Sequence, residues 1–240
     1  MKQLSRQILL FAIIPPVLVL GVGPASKYIT VSQSPLRMGE VLGLFVPLVT
    51  ITLCWLLFQL GKKEWPTLYE SIIFLILAAA LAEGYGMNLS TNAVGLRLQA
   101  MKTSEAYTVT HFFDEFLSHY LWHFAMIGLS TLLIYRQWRH PFNREQASLK
   151  PESFAGVIYG VFFFGCIIEG GTVAMGLPYA LLVTFFGLMW GRKKLRQQPL
   201  LAFFFVAYLF ALILFAGWLF YWGGFPQPTE LGVTKFLTDY

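Results

Sequence analysis

The feature that most limits the fold of this chain is a series of seven long, unbroken apolar stretches. A transmembrane α-helix needs about 20 mostly apolar residues, and only helices or closed β-barrels satisfy their backbone hydrogen bonds within a bilayer. The strands of a barrel alternate apolar and polar residues, whereas these stretches do not alternate. They comprise residues 8–23, 41–60, 66–87, 108–135, 154–170, 173–190 and 200–222.

The composition supports a membrane location. Of the 240 residues, 57% are hydrophobic and 12% are charged, and this charged fraction is about half of that found in a soluble domain. No Ser/Gly-rich linker divides the chain. We therefore predict an all-α integral membrane bundle of about seven transmembrane helices, which forms a single domain over residues 1–240.

The distribution of Lys and Arg predicts the orientation of this bundle. If the chain crosses the membrane at every stretch, 12 of the 17 basic residues fall on the same side as the N-terminus. Basic residues accumulate in cytoplasmic loops, so we expect a cytoplasmic N-terminus and an exoplasmic C-terminus. The net charge of +5 requires no nucleic-acid partner, because the basic residues lie in short loops between predicted helices.

The fourth stretch carries an unusual set of ionisable side chains. His111, Glu115, His119 and His123 recur every four residues, and four residues turn a helix by about 400°, so each step shifts the side chain by only about 40°. We call these four residues the histidine stripe. The spacing predicts that they lie along one side of the helix, with Asp114 beside them.

Two further carboxyl groups are expected near this stripe. Glu83 and Glu169 lie close to the ends of the third and fifth stretches, and alternation places both ends on the exoplasmic side. Charged groups at bilayer depth are costly unless they are paired or solvated, and are therefore functional candidates. We expect both carboxyls to converge with the upper half of the stripe.

Imidazole and carboxylate groups in such a cluster suggest a metal site. They are common ligands of Zn²⁺, Fe and Mn, and two histidines four residues apart on a helix bind one ion in known metal motifs. We predict a divalent metal, zinc first and iron or copper as alternatives. Its predicted ligands are His119, His123, Glu83 and Glu169. The predicted catalytic and orienting residues are Glu115, Asp114 and His111.

A short motif on the fourth stretch resembles a known family. His119-Tyr120-Leu121-Trp122-His123, followed by Gly128-Leu129, is similar to the HxxWH helix of the alkaline ceramidases and the related progestin/adiponectin-type receptors. The resemblance implies a seven-span fold with a zinc-hydrolase core that acts on lipid amides or esters, in which His119 and His123 are zinc ligands. In that family the motif lies on the last helix, whereas here it lies on the fourth stretch.

These observations favour a membrane-embedded, metal-dependent hydrolase whose substrate is a lipid or another apolar small molecule. Several alternatives remain open at the level of the sequence. One is a di-metal oxygenase or desaturase, and another is a metal-free isomerase or terpenoid or sterol cyclase that uses Glu83, Glu169 and Asp114. A transporter of protons or metal ions, or purely structural His–Glu pairs, would also account for the stripe.

Overall fold

The computed structural model describes residues 2–28, 37–61, 64–143 and 148–232. Within these ranges the chain is helical and contains no β-strand, which confirms the all-α class. A π-helical turn, Phe113–Ser118, joins the fifth and sixth helices. The α-helices are α1 Lys2–Tyr28, α2 Met38–Gly43, α3 Phe45–Leu60, α4 Leu68–Leu98, α5 Glu105–Phe112, α6 His119–Arg139, α7 Lys150–Glu169, α8 Val173–Phe186 and α9 Pro199–Trp222.

Six helical segments of the described chain are long and apolar enough to cross a membrane. By length and composition they indicate a multi-pass membrane protein. A seventh apolar segment, Val173–Met189, is shorter. The six segments are Lys2–Gly21, Met38–Leu60, Leu68–Met101, Glu105–Arg139, Lys150–Glu169 and Pro199–Trp222.

The helix α4 extends well beyond the predicted apolar stretch. That stretch ends at residue 87, whereas α4 continues to Leu98 and a 3₁₀ turn follows to Met101. Residues 88–98 are partly polar but contain no proline, so nothing stops the helix after its apolar part. Hydropathy therefore located the apolar part of α4 correctly and underestimated its length.

The helices of the bundle differ in how far they extend beyond one of its two ends. We name these ends the Arg136 end, where α4 and α7 begin, and the Gly170 end, where α7 ends. The 20 residues of α7 span about 30 Å, which matches the hydrocarbon core of a bilayer. The 34-residue segment Leu68–Met101 is about 51 Å long by the same rise per residue. The hairpin of α4 and α5 therefore projects beyond the Gly170 end.

Arg136 organises the opposite end of the bundle. It is 1% exposed and forms an ion pair with Glu70 at 2.6 Å. Its guanidinium also donates to the backbone oxygens of Phe58 and Glu64, so a buried charge has partners in α3, α4 and the loop between them. Of the basic residues behind the predicted orientation, Lys62, Lys63, Arg144 and Lys235 lie outside the described residues.

The helices α7 and α9 pack closely because α7 presents glycine to its neighbour. Gly156 and Gly160 are spaced four residues apart, as in the small-residue pairs that let membrane helices approach one another. A Cβ on Gly156 would lie 2.8 Å from the carbonyl oxygen of Phe203 and 2.9 Å from the Cβ of Val206. The contact leaves no room for a side chain at this position.

A pair of Gly→Ala variants on α7 tests this packing. Gly156→Ala is expected to destabilise the protein by about 1–3 kcal/mol, since overpacking a tight contact costs about that much. Gly165→Ala is the control, because a Cβ there would meet nothing within 4 Å. Thermal unfolding in detergent should show a lower midpoint for Gly156→Ala alone. Equal midpoints for the two variants would contradict the close approach of α7 and α9.

Candidate functional site

The π-helical turn between α5 and α6 interrupts the predicted histidine stripe. Hydrogen bonds in such a turn join residues five apart, so residues four apart no longer stack along one face. As a result Asp114 is buried, at 8% exposure, whereas His111 and Glu115 are exposed. Asp114, five residues before His119, therefore faces the inside of the bundle. Glu115, four residues before His119, does not.

An asparagine from α4 links Asp114 to His119. The side-chain nitrogen of Asn88 lies 3.2 Å from Oδ1 of Asp114 and 3.1 Å from Nε2 of His119. The two amide hydrogens serve both acceptors, so Nε2 of His119 accepts and its Nδ1 carries the proton. Nδ1 accordingly lies 3.1 Å from the backbone oxygen of Glu115. Thr91 also donates to Oδ1 of Asp114, at 3.0 Å.

His123 is the most enclosed ionisable side chain of this region, with 0% exposure. Its Nδ1 lies 2.6 Å from the hydroxyl oxygen of Thr172, the residue that immediately precedes α8. Its Nε2 is buried and has no hydrogen-bond partner among the described residues. The rings of His119 and His123 are nearly parallel, with centroids 6.0 Å apart. One nitrogen of His123 is thus held by a hydrogen bond, while the other is buried without a hydrogen-bond partner among the described residues.

The hairpin between α7 and α8 covers both imidazoles. A Cβ on Gly170 would lie 2.5 Å from Cε1 of His123 and 3.3 Å from Cγ of His119, so only a glycine permits this approach. Gly171 has a φ of 61°, a left-handed conformation that glycine adopts without strain. These two glycines let the chain turn directly above the rings and bring Thr172 to His123.

Glu169 precedes this hairpin, and its carboxyl has different neighbours. The residue is half-buried, and one of its oxygens, Oε2, is buried without a hydrogen-bond partner among the described residues. Thr229, in the segment after α9, forms hydrogen bonds with the carboxyl, and Glu115 and Glu230 interact with it electrostatically. Glu169 is therefore close to the imidazoles along the chain, while its carboxyl contacts the segment that follows α9.

Glu83 and His111 lie apart from this cluster. Glu83 is exposed, because its neighbour Gly84 is the residue that α4 packs against the backbone of Ser118 and Trp122. His111 is also exposed and stacks on Tyr107, with ring centroids 5.7 Å apart. Of the seven predicted site residues, the structure joins three in one cluster. These three are Asp114, His119 and His123.

The residues that hold this cluster together were not assigned to the site from the sequence. Asn88 and Thr172 supply the hydrogen bonds to the imidazoles, and Gly170 supplies the surface on which they pack. The run Gly170-Gly171-Thr172 forms a tight hairpin between α7 and α8. Only the packing of α7 and α8 on α6 shows that this hairpin covers two histidines.

The described residues do not form a metal site in this structure. No group of three or more His, Cys, Asp or Glu side chains within the described ranges is arranged to hold a metal ion. Both nitrogens of His119 form hydrogen bonds with other groups. Of the two clustered imidazoles, therefore, only Nε2 of His123 has no hydrogen-bond partner and could serve as a metal ligand.

An apolar cavity adjoins the cluster on the neighbouring face of α6. It is lined mainly by apolar residues of α1, α3, α4, α6, α7 and α9. Trp122 lines it, and the indole ring lies 5.0 Å from the ring of His123. Tyr85, also in the lining, meets Trp122 edge to face at 5.3 Å.

Comparisons with known proteins add no family to this description. No protein-family model matches the chain, and no curated protein or solved structure was found to be similar to it.

Thr172 offers a test of the hydrogen bond that orients His123. Thr172→Val is expected to destabilise the protein by about 1–3 kcal/mol, because a buried nitrogen loses its partner. Thr172→Ser keeps the hydroxyl and is the matched control. Unfolding midpoints measured in detergent should fall for the valine variant and stay near the wild-type value for the serine variant. If both variants unfold alike, the hydroxyl does not hold the imidazole.

Proposed function

We propose that this protein is an intramembrane enzyme that acts on a lipid or another apolar molecule by proton transfer at His123. The observation that carries the proposal is the asymmetry of this side chain, which is fully buried, held through Nδ1 by Thr172 and unpartnered at Nε2. When Nδ1 donates to Thr172, Nε2 is free to act as a base. After Nε2 has taken up a proton, the side chain is an imidazolium and can give that proton back as an acid.

Hydrolysis is the reaction that this location supports best. The imidazoles lie beside Gly170, at the end of α7, and the length of α7 matches a bilayer core. Water reaches such a boundary from one side, while an apolar substrate arrives from the other. A base at Nε2 of His123 would take a proton from the attacking water, and the resulting imidazolium would give it to the leaving group. Lipid amides and esters are the proposed substrates.

The metal-dependent form of this hydrolase stays a prediction. The resemblance to the ceramidase superfamily implied zinc, and the ligands named from the sequence were His119, His123, Glu83 and Glu169. The chemistry of Nε2 of His123 and Oε2 of Glu169, both buried without partners, is compatible with metal binding. The described residues nevertheless gather no set of three ligand side chains, so the proposed mechanism contains no step at a metal.

A proton pathway is the second candidate function, and one observation favours it. Below His123 the bundle contains two pairs of hydroxyl groups. Tyr208 donates to Ser130 at 2.8 Å, and Thr131 lies 2.9 Å from the hydroxyl of Tyr179. Ser130 and Thr131 lie on α6, and the two tyrosines on α8 and α9 extend the polar groups toward the Arg136 end.

We also infer that the chain crosses the membrane seven times, with the N-terminus in the cytoplasm. The segment that begins with α8 starts beside His123, at the Gly170 end. It returns to the Arg136 end, where Phe142 donates to the backbone oxygen of Gln197 at 3.0 Å. The 17 residues Val173–Met189 rise about 26 Å, slightly less than the thickness of a bilayer core. Their return to the opposite end supports a full crossing.

Histidine variants test the proposed enzyme. The purified protein is incubated in mixed micelles with a fluorescent lipid amide and with an ester of the same chain, and release of the free fatty acid is measured. His123→Gln should lower the rate by about 10²–10⁴-fold, the usual contribution of a general acid or base. His140→Gln is the control, since His140 is exposed just after α6. Equal rates for the two variants would refute the role of His123.

The same preparation distinguishes the metal-dependent form from the metal-free form. Activity that survives dialysis against a chelator, in a protein without bound metal by elemental analysis, supports proton transfer alone. Loss of activity on chelation, with one zinc per chain restored on reconstitution, supports the zinc hydrolase. Proton flux in vesicles, together with no hydrolysis of either substrate, would favour the second candidate.

Reporter fusions test the topology. A reporter that is active only outside the cytoplasm should be active when fused after Tyr240 and inactive when fused after Asn143. The reason is that seven crossings place the C-terminus and the loop after α6 on opposite sides of the membrane. A reporter that is active at both positions would contradict the seven-span arrangement.

A further inference from the structure

We propose that residues 227–232, a turn after α9 that we call the gate turn, control the access of water to Nε2 of His123. This inference rests on the proposed function and adds its regulation, because a general base must meet the water that it activates. Nε2 is buried without a hydrogen-bond partner among the described residues, and the side chain has 0% exposure. Some part of the surrounding structure must therefore move before water reaches this nitrogen.

The helices around the imidazoles are packed too closely to be the moving part. Gly84 of α4 lies against the backbone of α6, where a Cβ would be 2.6 Å from the nitrogen of Trp122. Gly160 of α7 lies in the same way against the carbonyl oxygen of Ala207 in α9. Separating these helices would break close-packed contacts, which protein interiors resist. The moving part therefore lies outside these helices, at the Gly170 end.

The residues just before the gate turn are anchored to α9. The indole nitrogen of Trp218 donates to the backbone oxygen of Pro226 at 3.2 Å. The ring of Phe225 meets the ring of Phe215 edge to face, with centroids 6.2 Å apart. These contacts fix the chain as far as Pro226 and so fix the point at which the gate turn begins.

The gate turn forms hydrogen bonds within itself. The backbone nitrogen of Gln227 donates to a carboxyl oxygen of Glu230 at 3.0 Å, and the nitrogen of Leu231 donates to the backbone oxygen of Gln227 at 3.2 Å. Because these bonds join residues of the same turn, the turn can move as a unit without breaking them. Surface segments that move in this way control access to the active sites of many enzymes.

Two contacts join the gate turn to the hairpin that covers the imidazoles. Thr229 forms hydrogen bonds with the carboxyl of Glu169 through its side chain and through its backbone. The side-chain amide of Gln227 lies over Gly171, where a Cβ would be 2.7 Å from the amide nitrogen. Glu169 and Gly171 flank Gly170, the residue that packs on both imidazole rings. The gate turn therefore holds the hairpin against the imidazoles, and its release lets the hairpin move away from them.

Chemical modification tests the gate. The full chain in phosphatidylcholine nanodiscs is treated briefly with diethyl pyrocarbonate, which reacts with an unprotonated imidazole nitrogen, and the modified peptides are quantified by mass spectrometry. His123 in the wild type should react far more slowly than the exposed His140. Thr229→Val removes the side-chain hydrogen bond to Glu169 and should raise the rate at His123 roughly fivefold, the effect of one hydrogen bond. Thr229→Ser keeps the hydroxyl and is the matched control, for which the wild-type rate is expected.

A second variant and a second probe separate opening of the gate from a general loosening of the bundle. Gln227→Ala removes the side chain that lies over Gly171 and keeps the backbone nitrogen that donates to Glu230. It should also raise the rate at His123. Alkylation of the thiol of Cys54, which is buried in the core at 2% exposure, reports general loosening and should stay as slow as in the wild type.

Three results would overturn the proposal. The first is the same rate at His123 in Thr229→Val and in Thr229→Ser. The second is a wild-type rate at His123 that matches the rate at His140, since the nitrogen would then be accessible without any opening. The third is a rise at Cys54 in parallel with the rise at His123, because the whole bundle would then have loosened.

The modification experiment also separates this proposal from the proposed function, because it requires no turnover. A rate at His123 that depends on Thr229, without hydrolysis of either lipid substrate, would support the gate and refute the hydrolase. Hydrolysis that depends on His123, together with one and the same rate of modification in all variants, would refute the gate and leave the hydrolase standing.

Discussion

The pairing of the polar side chains that α6 buries is the interaction on which the rest of the structure depends. In an apolar bundle each unsatisfied polar group costs several kcal/mol, so every such side chain fixes the position of the helix that satisfies it. Arg136 binds Glu70 of α4, and Gln137 accepts from the backbone nitrogens of Leu200 and Leu201 at the start of α9. His123 contacts Thr172 in front of α8. The helix α6 thereby fixes how α4, α8 and α9 are rotated about their axes and where they lie along the length of the bundle.

Hydropathy predicted the apolar parts of the helices well, but it did not predict where a helix continues with polar residues. It places α7 and α9 within a few residues, because these helices end where their apolar stretches end. It shortens α4 by eleven residues, since a helix that leaves an apolar environment can continue with polar residues. The sequence did not predict the π-helical turn at Phe113–Ser118, which changes which carboxyl turns inward.

For the candidate site, too, the sequence predicts some of the residues, whereas their neighbours are known only from the three-dimensional structure. Histidines in an apolar stretch identified His119 and His123 without any structure. Glu83 was selected by its depth, but rotation around the helix axis decides which residue faces the bundle. Adjacent helical residues point about 100° apart, so the close contact of Gly84 with α6 turns Glu83 away. The partner Thr172 comes from a distant part of the chain, and no local pattern indicates it.

Trp122 and His123 are adjacent in the chain, and this adjacency explains how one helix serves two environments. Their side chains point about 100° apart, so the indole faces the apolar cavity while the imidazole faces the Gly170 hairpin. A rotation of α6 by about 100° would turn the histidine toward the cavity and move the tryptophan away from it. The close contact with Gly84 and the anchored Arg136 oppose that rotation. The separation of the apolar and polar compartments is therefore a consequence of how α6 is held, and substitutions far from His123 can alter its environment.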